Sequence, residues 1–206
     1  GVDASIIQSD GDTEYEVIFD RYFKYSQKIY ENIHNLKDKI NNSRDLENLS
    51  KEIQPIEKEI TLFHAQSANE IIKEFKSNID FIGFHGQTIF HNSKEKVSKQ
   101  LGDGKLLSQL TKRIVIYDFR KNDLKNGGHG APLTPIFHKL IKNKYNLRTP
   151  LIILNIGGIA NFTSIDSNEK IQSRDIGPGN CLIDQWIRLN SENHYDQDGN
   201  ISKLGK

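Results

Sequence analysis

The chain has 206 residues, 35% of them hydrophobic and 27% charged, with a formal net charge of +1. This near-neutral balance gives no electrostatic case for nucleic acid or an anionic membrane surface, and the length suffices for one good core or two small ones. No apolar run approaches the ~18 residues of a membrane span, and a single cysteine, Cys181, excludes an internal disulfide framework and suits a reducing, cytoplasmic setting.

Gly1 to Ile7 is a short β-type run that begins without a turn or cap. Because the sequence also contains no methionine, a piece of a longer chain is favoured over removal of an initiator ahead of Gly1. Thr13 to Tyr25 alternates and is rich in Tyr, Phe, Val and Ile, which predicts one or two antiparallel strands joined around Ser9 to Asp12. Lys28 to Leu49 is charged and polar and reads as surface helix. Ile56, Ile60, Phe63, Ile71 and Phe75 recur at helical spacing, so Pro55 to Phe75 is predicted as a long amphipathic helix started by its proline.

Ile79 to Phe84 reads as a buried strand that delivers His85, Gly86, Gln87 and Thr88 at its carboxyl end, where ligands collect in open α/β sheets. The plain alternative is that His85 and Gln87 only satisfy backbone groups in a turn. Gln100 to Gly104 is a tight polar turn, followed by a short helix from Leu106 to Thr111. Ile114 to Tyr117 is another strand and ends in Asp118, Phe119 and Arg120, with Asp123 shortly beyond. An arginine at a strand end is a fork for a carboxylate or phosphate, or simply half of an ion pair with Asp123. Gly127 to Pro132 is a flexible loop leading to a helix whose apolar face is Leu133, Ile136, Phe137, Leu140 and Ile141. Three glycines at such a place can hold an anion or let a loop close over substrate.

Leu151 to Thr163 and Lys170 to Arg174 form a strand pair around a turn at Asp166 to Asn168. Two glycine turns follow apolar β-type runs, one from Asn155 to Asn161 and the other from Asp175 to Asn180. Gly157 and Gly158 can present N–H groups to a phosphate, or merely make a tight bend. The second turn opens a helix carrying Leu182, Ile183, Trp186 and Ile187 on one side, with Pro178 near its start and Asp175 just ahead of its positive end. There Asp175 is either a fixed, ionised carboxylate or only a cap. Cys181, inside this helix, reads as a small packed side chain. Tyr195 to Gly199 has the look of a calcium-loop fragment but lacks the remaining ligands, and reads as a solvated turn.

Seven stretches taken together resemble one family, the anhydro-N-acetylmuramic acid kinases, a branch of the sugar kinase and actin-like superfamily. They are His85 to Ile89 with His91, Gln100 to Gly104, Asp118 to Arg120 with Asp123, Gly127 to Leu133 with Pro135, Phe137 and His138, Asn155 to Asn161, Asp175 to Asn180 with Asp184 and Trp186, and Tyr195 to Gly199. They are collinear across nearly the whole chain. The resemblance implies an α/β fold: the first lobe of an actin-like ATPase (ribonuclease H-like), a mixed sheet with flanking helices, residues 1–206 forming a single incomplete lobe with the second lobe largely absent. It implies a reaction in which water opens the internal 1,6-ether of the anhydro sugar while ATP, with Mg²⁺, phosphorylates the freed O6. The product would be N-acetylmuramic acid 6-phosphate, an intermediate of cell-wall recycling.

By the same resemblance Asp175 matches the catalytic base. His85, Gln87, Thr88, Arg120 and Asp123 fall at sugar-binding positions, and Asn155, Gly157 and Gly158 at the second phosphate turn. Gly1, Val2 and Asp3 match the last part of an ATP-holding Ser-Gly-Thr-Ser-x-Asp-Gly loop. No protein-borne metal site is implied, the partners are the anhydro amino sugar and ATP, and a homodimer stands as a candidate assembly. Departures include His129 where the family usually has Gln, Ser93 where it usually has Pro, and the second lobe that the family carries beyond Lys206. Isolated, the chain is therefore expected to show little or no kinase activity. The other readings are a non-catalytic sugar-binding remnant and a different sugar kinase of the same superfamily.

Overall fold

A computed structural model describes residues 1–76 and 78–205, an α/β arrangement of mixed sheets and helices that divides into two compact units. The first comprises residues 1–9 and 15–131, the second 10–14 and 132–206.

In the first unit β1 (Val2–Ser9) and β2 (Tyr15–Phe23) form an antiparallel hairpin with a bulge between Ile6 and Ile7. Helix α1 (Gln27–Asp38) is capped by the Ser26 side chain and buries Ile29, Ile33 and Leu36 at helical spacing. The short α2 (Ser43–Asn48) is fixed by a capping box between Asn42 and Asp45. Helix α3 runs from Ser50 to Phe75 with Pro55 inside it, so the proline does not start the helix. Lying in the second turn, it gives up one backbone hydrogen bond and is tolerated near the end of an otherwise well-packed helix. The face carrying Ile53, Ile60, Thr61, Ala65, Ser67 and Ile71 is buried. With Val2, Tyr25, Leu36, Ile89 and Leu101, the residues Ile53 and Ile60 form the main core.

Strand β3 (Phe81–Phe84) pairs in parallel with β6 (Ile114–Tyr117). It is not the buried strand expected: Phe84 is inside, clustered with Ala65 of α3 and Leu107 of α4 (Gly104–Thr111), but Phe81 is 57% exposed. Between them lies a hairpin that the sequence did not announce, β4 (Gln87–Asn92) with β5 (Val97–Leu101). The turn after β5 is held by α3. Glu57 accepts from the Lys99 ammonium (2.7 Å) and the Gly102 N–H (3.2 Å), and Thr61 Oγ1 accepts from Asp103 N–H (2.9 Å). Asp103 then caps α4. Helix α5 (Phe119–Lys125) closes the unit, entered through Asp118 in a left-handed conformation (φ 62°).

In the second unit β7 (Leu151–Ile156), β8 (Ile159–Ile165) and β9 (Ile171–Pro178) make one antiparallel sheet in that order. Helix α6 (Pro135–Lys144) packs on β8 and β9. Its buried residue is polar: His138, joined at Nδ1 to Thr163 Oγ1 (2.8 Å), is inside, while Ile136 is 76% exposed and Phe137 also faces out. The apolar face expected for this helix is thus half turned to solvent. Lys142, one turn on, pairs with Glu169 at the β8–β9 turn (2.7 Å). Helix α7 (Cys181–Asn190) begins after β9, and only Ile187 of its expected apolar side is buried. Leu182, Ile183 and Trp186 are exposed and Cys181 is half-buried. Asp196 organises the tail, its two oxygens accepting the N–H groups of Ile201 and Ser202, which hold its carboxyl below the usual range.

Candidate active site

In the first unit, parallel pairing sets Phe84 beside Tyr117, so His85 and Asp118 follow at adjacent strand ends. The turn at Asp118 brings Arg120 back toward the first strand. Arg120 Nε–H donates to His85 Nε2 (3.0 Å), and the other ring nitrogen, Nδ1, lies 2.9 Å from the Gly86 carbonyl. A carbonyl only accepts, so Nδ1 carries the hydrogen and Nε2 the lone pair. Both nitrogens are occupied, which suits His85 to orienting Arg120 and leaves no ring nitrogen to act as a base. Arg120 Nη1 also donates to the Gly130 carbonyl (2.8 Å), and Asp123 Oδ2 accepts the Gly130 N–H (2.7 Å). Gly128 N–H donates to the backbone carbonyl of Asp123 (2.9 Å). The glycine loop is therefore clasped at Gly130 by both charged residues, one on each of the two peptide groups that flank its α-carbon. Gly130 is buried with φ +71°, and a side chain there would press on Leu124 and His91, so only glycine fits this point.

Gln87 and Thr88, expected at a strand's carboxyl end, are instead the first residues of β4. They lie opposite Leu101 and Gln100, and the Gln100 side chain donates to Thr88 Oγ1 (3.3 Å). His85, Arg120 and Asp123 are thus linked through the loop, while Gln87 and Thr88 open the neighbouring hairpin. Gly1, Val2 and Asp3 lie at the start of β1. Val2 is buried in the core and Asp3 is exposed, so Val2 could meet a ligand only through its backbone.

In the second unit the register gathers three polar residues. Asn155 of β7 lies opposite Asn161 of β8, and Asn161 lies opposite Asp175 of β9. Alternation puts this row on the same sheet face as the row Ile153, Thr163 and Ser173, and hence on the side of α6. Thr163 is fully buried, whereas Asp175 is exposed. Asp175 is a strand residue, and α7 opens only at Cys181 with Asn180 before it, so the carboxylate does not cap that helix. Pro178 likewise ends β9. The bulge at Ala160 and Asn161 inserts the extra residue that extends β9 through positions where sequence spacing suggested a helix start.

The turn between β7 and β8 is Gly157 and Gly158. Their carbonyls accept from Asn180 N–H (2.7 Å), Gly179 N–H (2.9 Å) and Cys181 N–H (3.3 Å), which stitches the two glycine turns together. Gly179 must be glycine, because a Cβ there would strike the Gly157 carbonyl. Gly157 and Gly158 are different: neither has a positive φ and a Cβ on either would meet only ordinary contacts. Nothing in the packing requires glycine at these two positions, and open space over a glycine backbone is what a phosphate group needs.

One polar group of this row has no counterpart among the expected site residues. Asn161 Oδ1 is buried without a hydrogen-bond partner among the described residues. The available sequence signal was its place in the Asn155 to Asn161 stretch, one strand from Asp175. It became visible only through the register.

The architecture and these two groups of residues describe an α/β protein with glycine turns and charged side chains presented at strand ends, the class in which sugar kinases fall. The family model for anhydro-N-acetylmuramic acid kinase matches residues 1–206, and the chain belongs to that family. A relative of that name from Pelagibacter ubique is 56% identical over 208 aligned residues, taking in 100% of this chain and 56% of its own length. Relatives from Rhizobium etli and Agrobacterium fabrum are each 40% identical over 151 residues, or 71% of this chain, and those matches take in 41% and 40% of their lengths. The chain therefore spans about half the length of the curated relatives it matches.

Proposed function

We propose that this chain supplies the sugar-handling part of an ATP-dependent kinase. The enzyme opens 1,6-anhydro-N-acetylmuramic acid with water and phosphorylates O6 to give N-acetylmuramic acid 6-phosphate, a step in cytoplasmic cell-wall recycling. One observation carries the reading: an exposed carboxylate, Asp175, stands in a polar row with Asn155 and Asn161, and Asn155 lies two residues ahead of a glycine pair that the packing does not explain.

Hydrolysis at an acetal carbon needs a carboxylate base to take a proton from the attacking water. In the proposed step Asp175 removes that proton as the water oxygen bonds to C1. The C1–O6 bond breaks, and its electron pair, left on O6, takes the phosphoryl group. The bond between the γ-phosphorus of ATP and the β–γ bridging oxygen breaks as the group moves, and ADP leaves; Mg²⁺, when bound, would offset the phosphate charge. Gly157 and Gly158 are assigned to lie against the phosphates, with Asn155 beside them. The Gly1 to Asp3 stretch belongs to the other phosphate loop.

Arg120, oriented by His85, is assigned to the lactyl carboxylate, where a planar guanidinium is well matched. Gln87, Thr88 and Asp123 are assigned to the sugar's polar groups, Asp123 also holding the glycine loop at Gly130. The fold assigned is the first lobe of the actin-like ATPase architecture. The 206-residue chain by itself is assigned no turnover, because the relatives carry much of their length outside the match.

The test is a coupled ADP-release assay with the full-length gene product, comparing anhydro-N-acetylmuramic acid with the open sugar and with other hexoses. Release dependent on the anhydro sugar is expected. Release dependent only on another hexose would make the protein a different sugar kinase, and sugar binding without release under any condition would make it a binding module.

A further inference from the structure

We propose that Asn161 is a further residue of the reaction centre: with Asp175 it holds the attacking water, its Oδ1 accepting the hydrogen that the carboxylate does not take. The inference rests on the reading of Asp175 as base and adds a residue to it. Asn161 and Asp175 are direct partners across an antiparallel ladder, so their side chains rise from the same face with Cβ atoms about 5 Å apart. As folded, Oδ1 is covered; with the Asn161 amide turned toward the exposed Asp175 carboxylate, the two acceptor oxygens can both reach one water at hydrogen-bond distance.

The state of Oδ1 points the same way. It is shut off from solvent, and no described N–H or O–H reaches it. A buried acceptor left empty costs about 1–3 kcal/mol, and folding does not recover that cost here. Two residues along the same strand face, the Thr163 hydroxyl is met by His138. An amide oxygen can only accept, so whatever meets it must bring an O–H or N–H. Water suits this position for a chemical reason. An attacking water must aim a lone pair at the acetal carbon, which requires both its hydrogens to be engaged elsewhere. Asp175 takes one as a proton, and Asn161 holds the other without removing it, so the proton balance of the step is unchanged.

The test uses Asn161→Ala, Asn161→Ser and Asp175→Asn in the full-length gene product, with steady-state kinetics on the anhydro sugar and thermal melting of each variant. Asn161→Ala is expected to lower kcat by about 10- to 100-fold with KM for the sugar within about twofold, while its Tm stays level or rises because an unpaired acceptor has been removed. Asn161→Ser, which keeps an accepting oxygen, is expected to lie between wild type and the alanine variant in kcat.

A falling Tm alongside falling kcat in both Asn161 variants would make the residue structural and overturn the proposal. A raised KM at unchanged kcat would assign Oδ1 to a sugar hydroxyl and overturn it likewise. Full activity in Asn161→Ala with an inactive Asp175→Asn sinks the water-holding role alone. Full activity in Asp175→Asn sinks the base reading, and with it this inference.

Discussion

The two units bury their apolar residues very differently. The first unit has a connected interior, with Ile60 and Leu101 fully buried and Leu36, Ile89 and Tyr25 packed around them. The second encloses only a few groups, among them Ile165, Thr163, His138 and Ile187. It leaves Ile152, Leu154, Ile156 and Ile176 on its sheet and Leu182, Ile183 and Trp186 on α7 open. Burial stabilises by roughly 25 cal/mol per Å² of apolar surface, so cooperative stability is concentrated in the first unit. The candidate base and the glycine pair sit on the second, whose sheet is covered by α6 on one face only.

The sharpest way to break this contrast is a cavity in the first core. Ile60→Ala is expected to cost about 2–5 kcal/mol, read as a shift in urea midpoint, and a cost under about 1 kcal/mol would mean the interior is looser than its burial implies. Acid is the next lever. Burial depresses His64 from 6.5 to about 4, so the folded state binds fewer protons than the unfolded one between those values. Stability from this group is complete above about pH 6.5 and falls as pH drops toward 4, by on the order of 3 kcal/mol. His138 is also lowered by burial and adds a loss of the same sign in the second unit. Replacing His64 by Phe should flatten the stability–pH slope over this window, and an unchanged slope would contradict the assignment. The smallest expected effect is Trp186→Gln. At 58% exposure the ring should change stability by no more than about 0.5 kcal/mol, and a large loss in chemical denaturation would show that α7 buries this face.

Much of the fold was legible where one periodicity dominated, as in the alternating Thr13 to Tyr25 segment, the long helix around Ile60 and the strand Ile114 to Tyr117. The β4–β5 hairpin was not, because His91, Asn92, Ser98 and Gln100 dilute its alternation and its turn lacks a strong glycine signal. Helix α6 misled for the opposite reason: its buried residue is His138, chosen by a hydroxyl at Thr163 across the interface, which no hydropathy pattern records. The start of α3 was displaced because a proline marks a helix's first turn only when no earlier residue can begin it, and Leu49 serves here. At the site, the glycine turns and charged strand ends could be read in one dimension. The alignment of Asn155, Asn161 and Asp175 could not, since it depends on the registers that two successive turns impose on β7, β8 and β9.

The most direct measurement is made on Asp175→Asn in the full-length gene product, with turnover of anhydro-N-acetylmuramic acid and calorimetric affinity for the same sugar determined side by side. A positioned base contributes about 10²- to 10⁴-fold, so turnover should fall by that factor while affinity changes by no more than a few-fold. Turnover close to wild type, or a loss of affinity as large as the loss of rate, would contradict the role assigned to this carboxylate.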